Sequence, residues 1–270
     1  MRQARRSLRR ADVGVLVLCA ALVMTSLAAV GPQGRRRARA AVCLANLRQW
    51  GGVFDGYIQR NNGRFFTGEA SRGYWWPREL DDEHKNWKQM KIWFCSEADR
   101  PMLDENGVYQ NLTPTFAAWG IYHGMGLSPH GLAGSYSING YTMDIPESSQ
   151  YEGGVPARNG WRGFDSVTGA EGVPLFIDAM RFDLWPLETN GPSPNEFAAW
   201  SGNNMARCAI NRHNGAVNSL FLDGSARKVG LKELWTLKWH RSFNTEGPWT
   251  RAGGAESTDW PEWMRGFKDY

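Results

Sequence analysis

Val13 to Val30 is a run of 18 residues without a single charge. As a helix it would extend about 27 Å, close to the ~30 Å hydrocarbon core of a bilayer. Arg2, Arg5, Arg6, Arg9 and Arg10 precede it, and Arg35, Arg36, Arg37 and Arg39 follow it. Positive charge ahead of an apolar run holds the N-terminus in the cytoplasm. Three kinds of segment compete for such a run: a retained anchor, a cleaved export signal and a buried helix of a soluble protein. No polar face interrupts it, which disfavours the buried helix. An export signal has a shorter core of about 7–15 residues and a small-residue cleavage site, for which Ser26-Leu27-Ala28 and Ala38-Arg39-Ala40 are the candidates. The reading adopted is an anchor, with a single pass through the inner membrane and the body in the periplasm or on the cell surface.

The anchor reading changes what the net charge means. The chain of 270 residues carries +4 overall, but residues 1–40 hold nine Arg against Asp12 alone. The remainder has 22 basic and 26 acidic residues. A mildly acidic body repels a phosphate backbone, so no nucleic-acid partner is expected. With 42% apolar residues and 14 Trp the body has the material for a core, which argues against disorder.

Past Pro32 and Gly34 a second helical pattern begins. Cys43, Leu47, Trp50, Phe54 and Tyr57 recur at spacings of four, three, four and three, one stripe on one helix face. Asn61-Asn62-Gly63 supplies the stop. Gly51, Gly52 and Gly56 weaken this helix, by about 1 kcal/mol each relative to Ala; either they let something approach it closely or the helix is simply soft. From Arg64 the texture becomes short runs between turn residues: Lys91-Ile92-Trp93-Phe94, Ser135 to Tyr141, and Pro174-Leu175-Phe176-Ile177. Ala216 to Leu222 is the best strand, and Asp223-Gly224 turns it into Ala226-Arg227-Lys228-Val229, a hairpin. Stretches 145–173 and 186–204 read as loops, and Leu231 to Trp239 as a short helix. Helix first and strands afterwards is an α+β order. The expected divisions are 1–34 (basic segment and apolar helix), 35–63 (amphipathic helix), 64–243 (antiparallel sheet domain) and 244–270 (a Trp-rich tail).

His213 and Asp223 invite a catalytic or metal reading. An extended strand from 216 to 222 would hold them roughly 20 Å apart, so they are expected to be structural: Asp223-Gly224 makes the tight turn and His213 caps the strand entrance. No hydrolase, phosphate-binding, zinc or calcium signature is present, and no catalytic residue, metal or cofactor is expected. Cys43, Cys95 and Cys208 lie in the body, and either bridge in an oxidising compartment or stay as buried thiols. Trp75, Trp76, Trp161 and Trp200 sit among Gly, Pro and Asn. They are candidates for a surface that meets a partner or stacks on sugar; the other reading makes them staples of a loop-rich core.

Cys43-Leu44-Ala45-Asn46-Leu47-Arg48-Gln49 after an Arg-rich segment, and His213 nine residues before Asp223-Gly224, together resemble a known family. They look like bacterial prepilin-type, pseudopilin-like proteins with a His-x9-Asp-Gly motif, found among type II secretion and type IV pilin-like proteins. Trp93-Phe94-Cys95-Ser96 resembles that family's middle cysteine motif, which usually has Pro after the Cys. Ser135-Tyr136 with Asn139-Gly140 also fits, so the likeness spans about residues 40–240. It implies a pilin-like fold, a long N-terminal helix packed on a small antiparallel sheet with long loops. Asn46, Gln49, His213, Asp223 and Gly224 would be motif residues of structural role. A Cys43–Cys95 disulfide is implied by the family's cysteine positions. The implied function is a non-enzymatic structural or assembly component of an envelope secretion or pilus-like system, with other pilin-like subunits or secretion machinery as partners. The alternative is an exported, anchored binding module for polysaccharide. The family's processing signal is absent: Val15 follows Gly14, and Cys19 stands where a Glu is usual.

Overall fold

A computed structural model describes residues 31–68, 76–123 and 131–270. The apolar run Val13–Val30, Cys19, Trp75 and His130 lie outside them. Among the described residues no helix is long and apolar enough to cross a membrane. Residues Ala40–Tyr270 form one compact unit, and the 244–270 segment belongs to it.

The first helix, α1, runs from Pro32 to Arg60. Its stripe of Cys43, Leu47, Trp50, Phe54 and Tyr57 is buried, as the spacing requires. The stop is at the predicted place. Asn62 and Gly63 both take positive φ, 55° and 78°, and the Gly63 amide donates back to the Ile58 carbonyl at 2.9 Å.

Among the described residues seven strands follow: β1 (Trp119–Tyr122), β2 (Leu132–Gly134), β3 (Tyr136–Asn139), β4 (Pro174–Asp178), β5 (Asp183–Leu184), β6 (Ala216–Phe221) and β7 (Ala226–Gly230). β1 and β2 form a two-stranded ribbon, and the others a sheet in the order β5-β3-β4-β6-β7. All neighbours in that sheet are antiparallel except β3 and β5. The fold is therefore α+β, with one long helix and two sheets, the larger of them mixed.

Side chains alternate across a strand, and the register decides which residues share a face. Tyr136 lies opposite Asp178, Ile138 opposite Phe176, and Phe176 opposite Leu220. This face receives α1. Trp50 stacks on Phe176 with centroids 5.3 Å apart, and a Cβ on Gly51 would sit 3.4 Å from both Leu220 methyls. Of the two readings of the helix glycines, close approach holds at Gly51, whereas Gly52 faces open space. Trp50, Trp76, Trp93 and Phe176 make an aromatic cluster between helix and sheet.

The opposite face is covered by loops and by the last third of the chain. Asn139 donates to the carbonyls of Pro174 and Trp239. The C-terminal residues fold back: Trp235, Trp249 and Trp260 contact one another, Lys232 pairs with Asp269 at 2.6 Å, and the Arg251 amide donates to the Tyr270 carbonyl.

Two local expectations differ. Lys91–Trp93 is a 3-10 turn and not a strand. Its carbonyls go to three different donors: Lys91 accepts the Phe94 amide within the turn, Ile92 accepts the Trp50 indole at 2.9 Å, and Trp93 accepts the Ser135 amide at 2.9 Å, so no continuous strand ladder forms. The helix expected over 231–239 is a 3-10 turn over Lys232–Thr236.

Candidate functional site

The helix-facing side of β4 ends in Asp178, a carboxylate that is fully buried. Burial works against its charge, but His213 and Arg212 hold its carboxyl below the usual range. Its Oδ2 lies 3.1 Å from His213 Nε2 and accepts the Asn218 amide at 2.8 Å. Its Oδ1 faces Arg212 Nη1 at 3.7 Å. Arg212 is itself buried and donates to the carbonyls of Thr115, Ser135 and Ala117 at 2.7–2.8 Å. The guanidinium thus ties the 115–117 loop to the start of β3 while its charge serves Asp178.

Two sulfurs complete the cluster. Cys43 comes from the base of the α1 stripe and Cys95 from the turn after Lys91–Trp93. Both are buried free thiols, with Sγ atoms 2.8 Å apart. Cys95 Sγ lies 3.4 Å from His213 Nε2. Cys43 Sγ accepts from the Ser96 amide at 3.1 Å and contacts Ser96 Oγ at 3.4 Å. The Tyr136 hydroxyl donates to the Cys43 carbonyl, fixing the helix at this point.

The charges follow from these contacts. The Cys43 thiol is lowered to about 5, chiefly because Cys95 donates to its sulfur; burial opposes this and His213 reinforces it. Cys95 is pushed far up by burial and by its bond to Cys43. Burial opposes charge on His213, yet Asp178 and then Cys43 raise it to about 9. These contacts favour the thiolate at Cys43 over one at Cys95 and the imidazolium at His213, beside the Asp178 carboxylate.

The ligand atoms of Cys43, Cys95 and His213 lie within 4.8 Å of one another, near enough to reach one ion. Two features fit a dithiol better than a metal. Tetrahedral zinc, with Zn–S of about 2.3 Å, holds two sulfurs roughly 3.8 Å apart, and the nitrogen that would ligate is the one already facing Asp178. The chemistry this arrangement can support is thiolate nucleophilicity and disulfide exchange.

The residues singled out from sequence are distributed as follows. Cys43, Cys95, His213 and Asn46 gather here, Asn46 through its bond to Phe94. Gln49 is exposed and donates to the Ala45 carbonyl at 3.5 Å. Asp223 and Gly224 lie at the far end of β6, where Asp223 accepts from the Ser225 amide and hydroxyl. Trp76 and Trp161 are buried and donate to backbone carbonyls, so they do not belong to a partner-facing surface; their indoles staple loops. Trp200 is 37% exposed, and Trp75 lies outside the described residues. Asp178 and Arg212 were missed, and Ser96 entered only as the residue after Cys95. An acid closing the apolar run Pro174–Ile177 was the available signal for Asp178.

Comparison with protein families, with curated proteins and with solved structures finds no match to this chain.

Proposed function

We propose that this chain is a pilin-like, pseudopilin-type structural component of a bacterial envelope assembly, non-enzymatic, anchored by its N-terminal apolar helix with the body outside the cytoplasm. The observation that supports this reading most is the docking of the α1 stripe, Cys43 to Tyr57, on the β3-β4-β6 face. A helix whose Cys43–Ile58 part is committed to a sheet is a framework element, and in sequence it follows the Arg-flanked apolar run. Cys43, Cys95 and His213 cluster inside that helix–sheet junction, which suits a role in holding it together. Partners are then the inner membrane and other pilin-like subunits or secretion machinery.

Cell fractionation tests the reading. The intact protein is expected in the inner membrane, with the body open to protease from the periplasmic side and cross-linkable to a second pilin-like subunit. Recovery of soluble protein beginning near residue 29 or 41 would overturn it.

A polysaccharide-binding module is the second reading, and one observation favours it: exposed Trp200 makes an edge contact with exposed Tyr109, centroids 5.8 Å apart. Loss of glycan retention in Trp200→Ala with unchanged membrane assembly would support it over the first.

A further inference from the structure

The sulfur of Cys43 is surrounded by donors. The Ser96 amide lies 3.1 Å away, the Ser96 hydroxyl 3.4 Å and the Cys95 thiol 2.8 Å. The positive His213 stands within 4.8 Å and is held by Asp178. A sulfur in a disulfide is neutral and a poor acceptor, so such a shell has little to offer the bridge. It has much to offer a thiolate, for which hydrogen bonds to a charged group are the strong kind. Stabilising the reduced form makes a disulfide easier to reduce.

Ser96 is the informative donor because its amide hydrogen can be removed by substitution: proline in its place would have none to give. Here the position supplies both an N–H and a hydroxyl to Cys43. His213, Asp178, Arg212, Cys95 and Tyr136 are the other ionisable groups of the cluster. The Asn218 amide on Asp178 keeps the carboxylate fixed, so the charge pattern around the sulfur is rigid.

We propose that Cys43 and Cys95 form a redox-active dithiol–disulfide couple whose surrounding donors favour the open form, so that the bridge exchanges with small disulfides and thiols and is not a permanent staple. In oxidation the Cys43 thiolate attacks one sulfur of a low-molecular-weight disulfide such as oxidised glutathione. That S–S bond breaks, a thiolate leaves, and a mixed disulfide forms on Cys43. Cys95 then attacks Cys43 Sγ and expels the second thiolate, and the Cys95 proton passes to a released thiolate. Two protein sulfurs are oxidised and one external disulfide is reduced. Both sulfurs are buried, so exchange goes through local opening of the helix base; the equilibrium does not depend on that route. This inference goes beyond the assembly reading and stands whether or not the chain is part of a pilus-like machine.

The test is equilibration of the full chain, in detergent, with glutathione buffers of graded ratio, followed by acid quench, alkylation and mass spectrometry. Wild type is expected to reach a mixture of dithiol and disulfide within the glutathione range, where an inert structural bridge stays oxidised. Ser96→Pro should shift the equilibrium about tenfold or more toward the disulfide. His213→Gln should shift it in the same direction, and Ser96→Ala by less. Thiolate ultraviolet absorbance supplies a second readout: in wild type it should persist to lower pH than in His213→Gln. If Ser96→Pro does not fold, the other two variants decide. A wild-type bridge that remains closed across every buffer overturns the proposal, as does a set of variants indistinguishable from wild type. So does purified full chain that carries stoichiometric metal released by thiol-blocking reagents.

Discussion

Asp178 Oδ2 stands 3.1 Å from His213 Nε2, with both side chains almost fully enclosed. Removing one member of a buried pair leaves the other charge without compensation, which typically costs about 3–5 kcal/mol. Asp178→Ala is expected to fall in that range, because it strands both His213 and Arg212. His213→Ala should cost less, since Arg212 and the Asn218 amide still face Asp178. Thermal melting beside functional complementation checks both variants. Any secretion or assembly defect in His213→Ala should track its lost stability; a variant that melts like wild type yet abolishes function would make the histidine a functional group in its own right.

Gly224 sits at φ +82° in the β6–β7 turn, and a Cβ there would touch nothing within 4 Å. The whole penalty of a substitution is therefore conformational. Gly224→Val should destabilise by about 1–2 kcal/mol, and Gly224→Asn, which tolerates the left-handed region, by less. Equal melting temperatures for the two variants would contradict this.

The legible parts of the sequence were those written in a local period. The α1 stripe and its Asn-Asn-Gly stop, and the hairpin around Asp223-Gly224, each fit within a few turns or one strand pair, and the structure places them as read. The thiol cluster has no such period. Its members come from α1, the turn at Cys95, the end of β4 and the residues before β6, and they meet because of strand register. His213 was weighed against Asp223, its neighbour in sequence, when its partner was Asp178 on the adjoining strand. The apolar run at Lys91–Trp93 misled because its carbonyls are split between a local turn, the Trp50 indole and the Ser135 amide. Composition likewise cannot separate a surface tryptophan from an interior one, which is why Trp76 and Trp161 needed coordinates.

Helix glycines make opposite predictions one residue apart. Gly52 has open space around it, so Gly52→Ala should stabilise by up to about 1 kcal/mol through helix propensity. Gly51 lies against Leu220 at 3.4 Å, and Gly51→Leu should overpack the helix–sheet contact at about 1–3 kcal/mol. Urea unfolding distinguishes the pair; similar midpoints would deny the close approach.

The cysteines predict a bonding pattern. Non-reducing mass spectrometry of exported protein should find Cys43 joined to Cys95 and Cys208 free, the latter buried with its thiol pushed up by burial. Rapid alkylation of all three without reductant would refute the pairing. A bridge across 52 positions removes unfolded-state entropy worth about 4 kcal/mol. Reduction should lower stability by less than that, because the dithiol form gains its own hydrogen bonds.

His240 gives the pH prediction. Burial lowers it to about 4 from the ordinary 6.5, and its ring packs against Tyr141 and Phe243. The folded state therefore keeps it neutral while the unfolded chain takes up a proton below 6.5. Its contribution is fully present above 6.5 and is lost as pH falls toward 4, at about 1.4 kcal/mol per pH unit. His240→Phe should flatten that limb of the stability profile, as followed by denaturant melts at stepped pH; an unchanged slope would place the acid sensitivity elsewhere.

The cluster at the helix base is assembled from positions 43, 95, 178 and 212–213, and a chain threaded outward from its N-terminus delivers them in that order. With the body exported as proposed, Cys43 and Cys95 would reach the oxidising side while Asp178 and His213 are still to come. A bridge formed then is made before His213 and Asp178, two of the groups that favour its opening, have arrived. Completion of β6 changes the terms under which the same two sulfurs are held. The maturity of the fold is thereby written into the reducibility of one bond, so that a half-exported chain and a finished one would answer the same reductant differently.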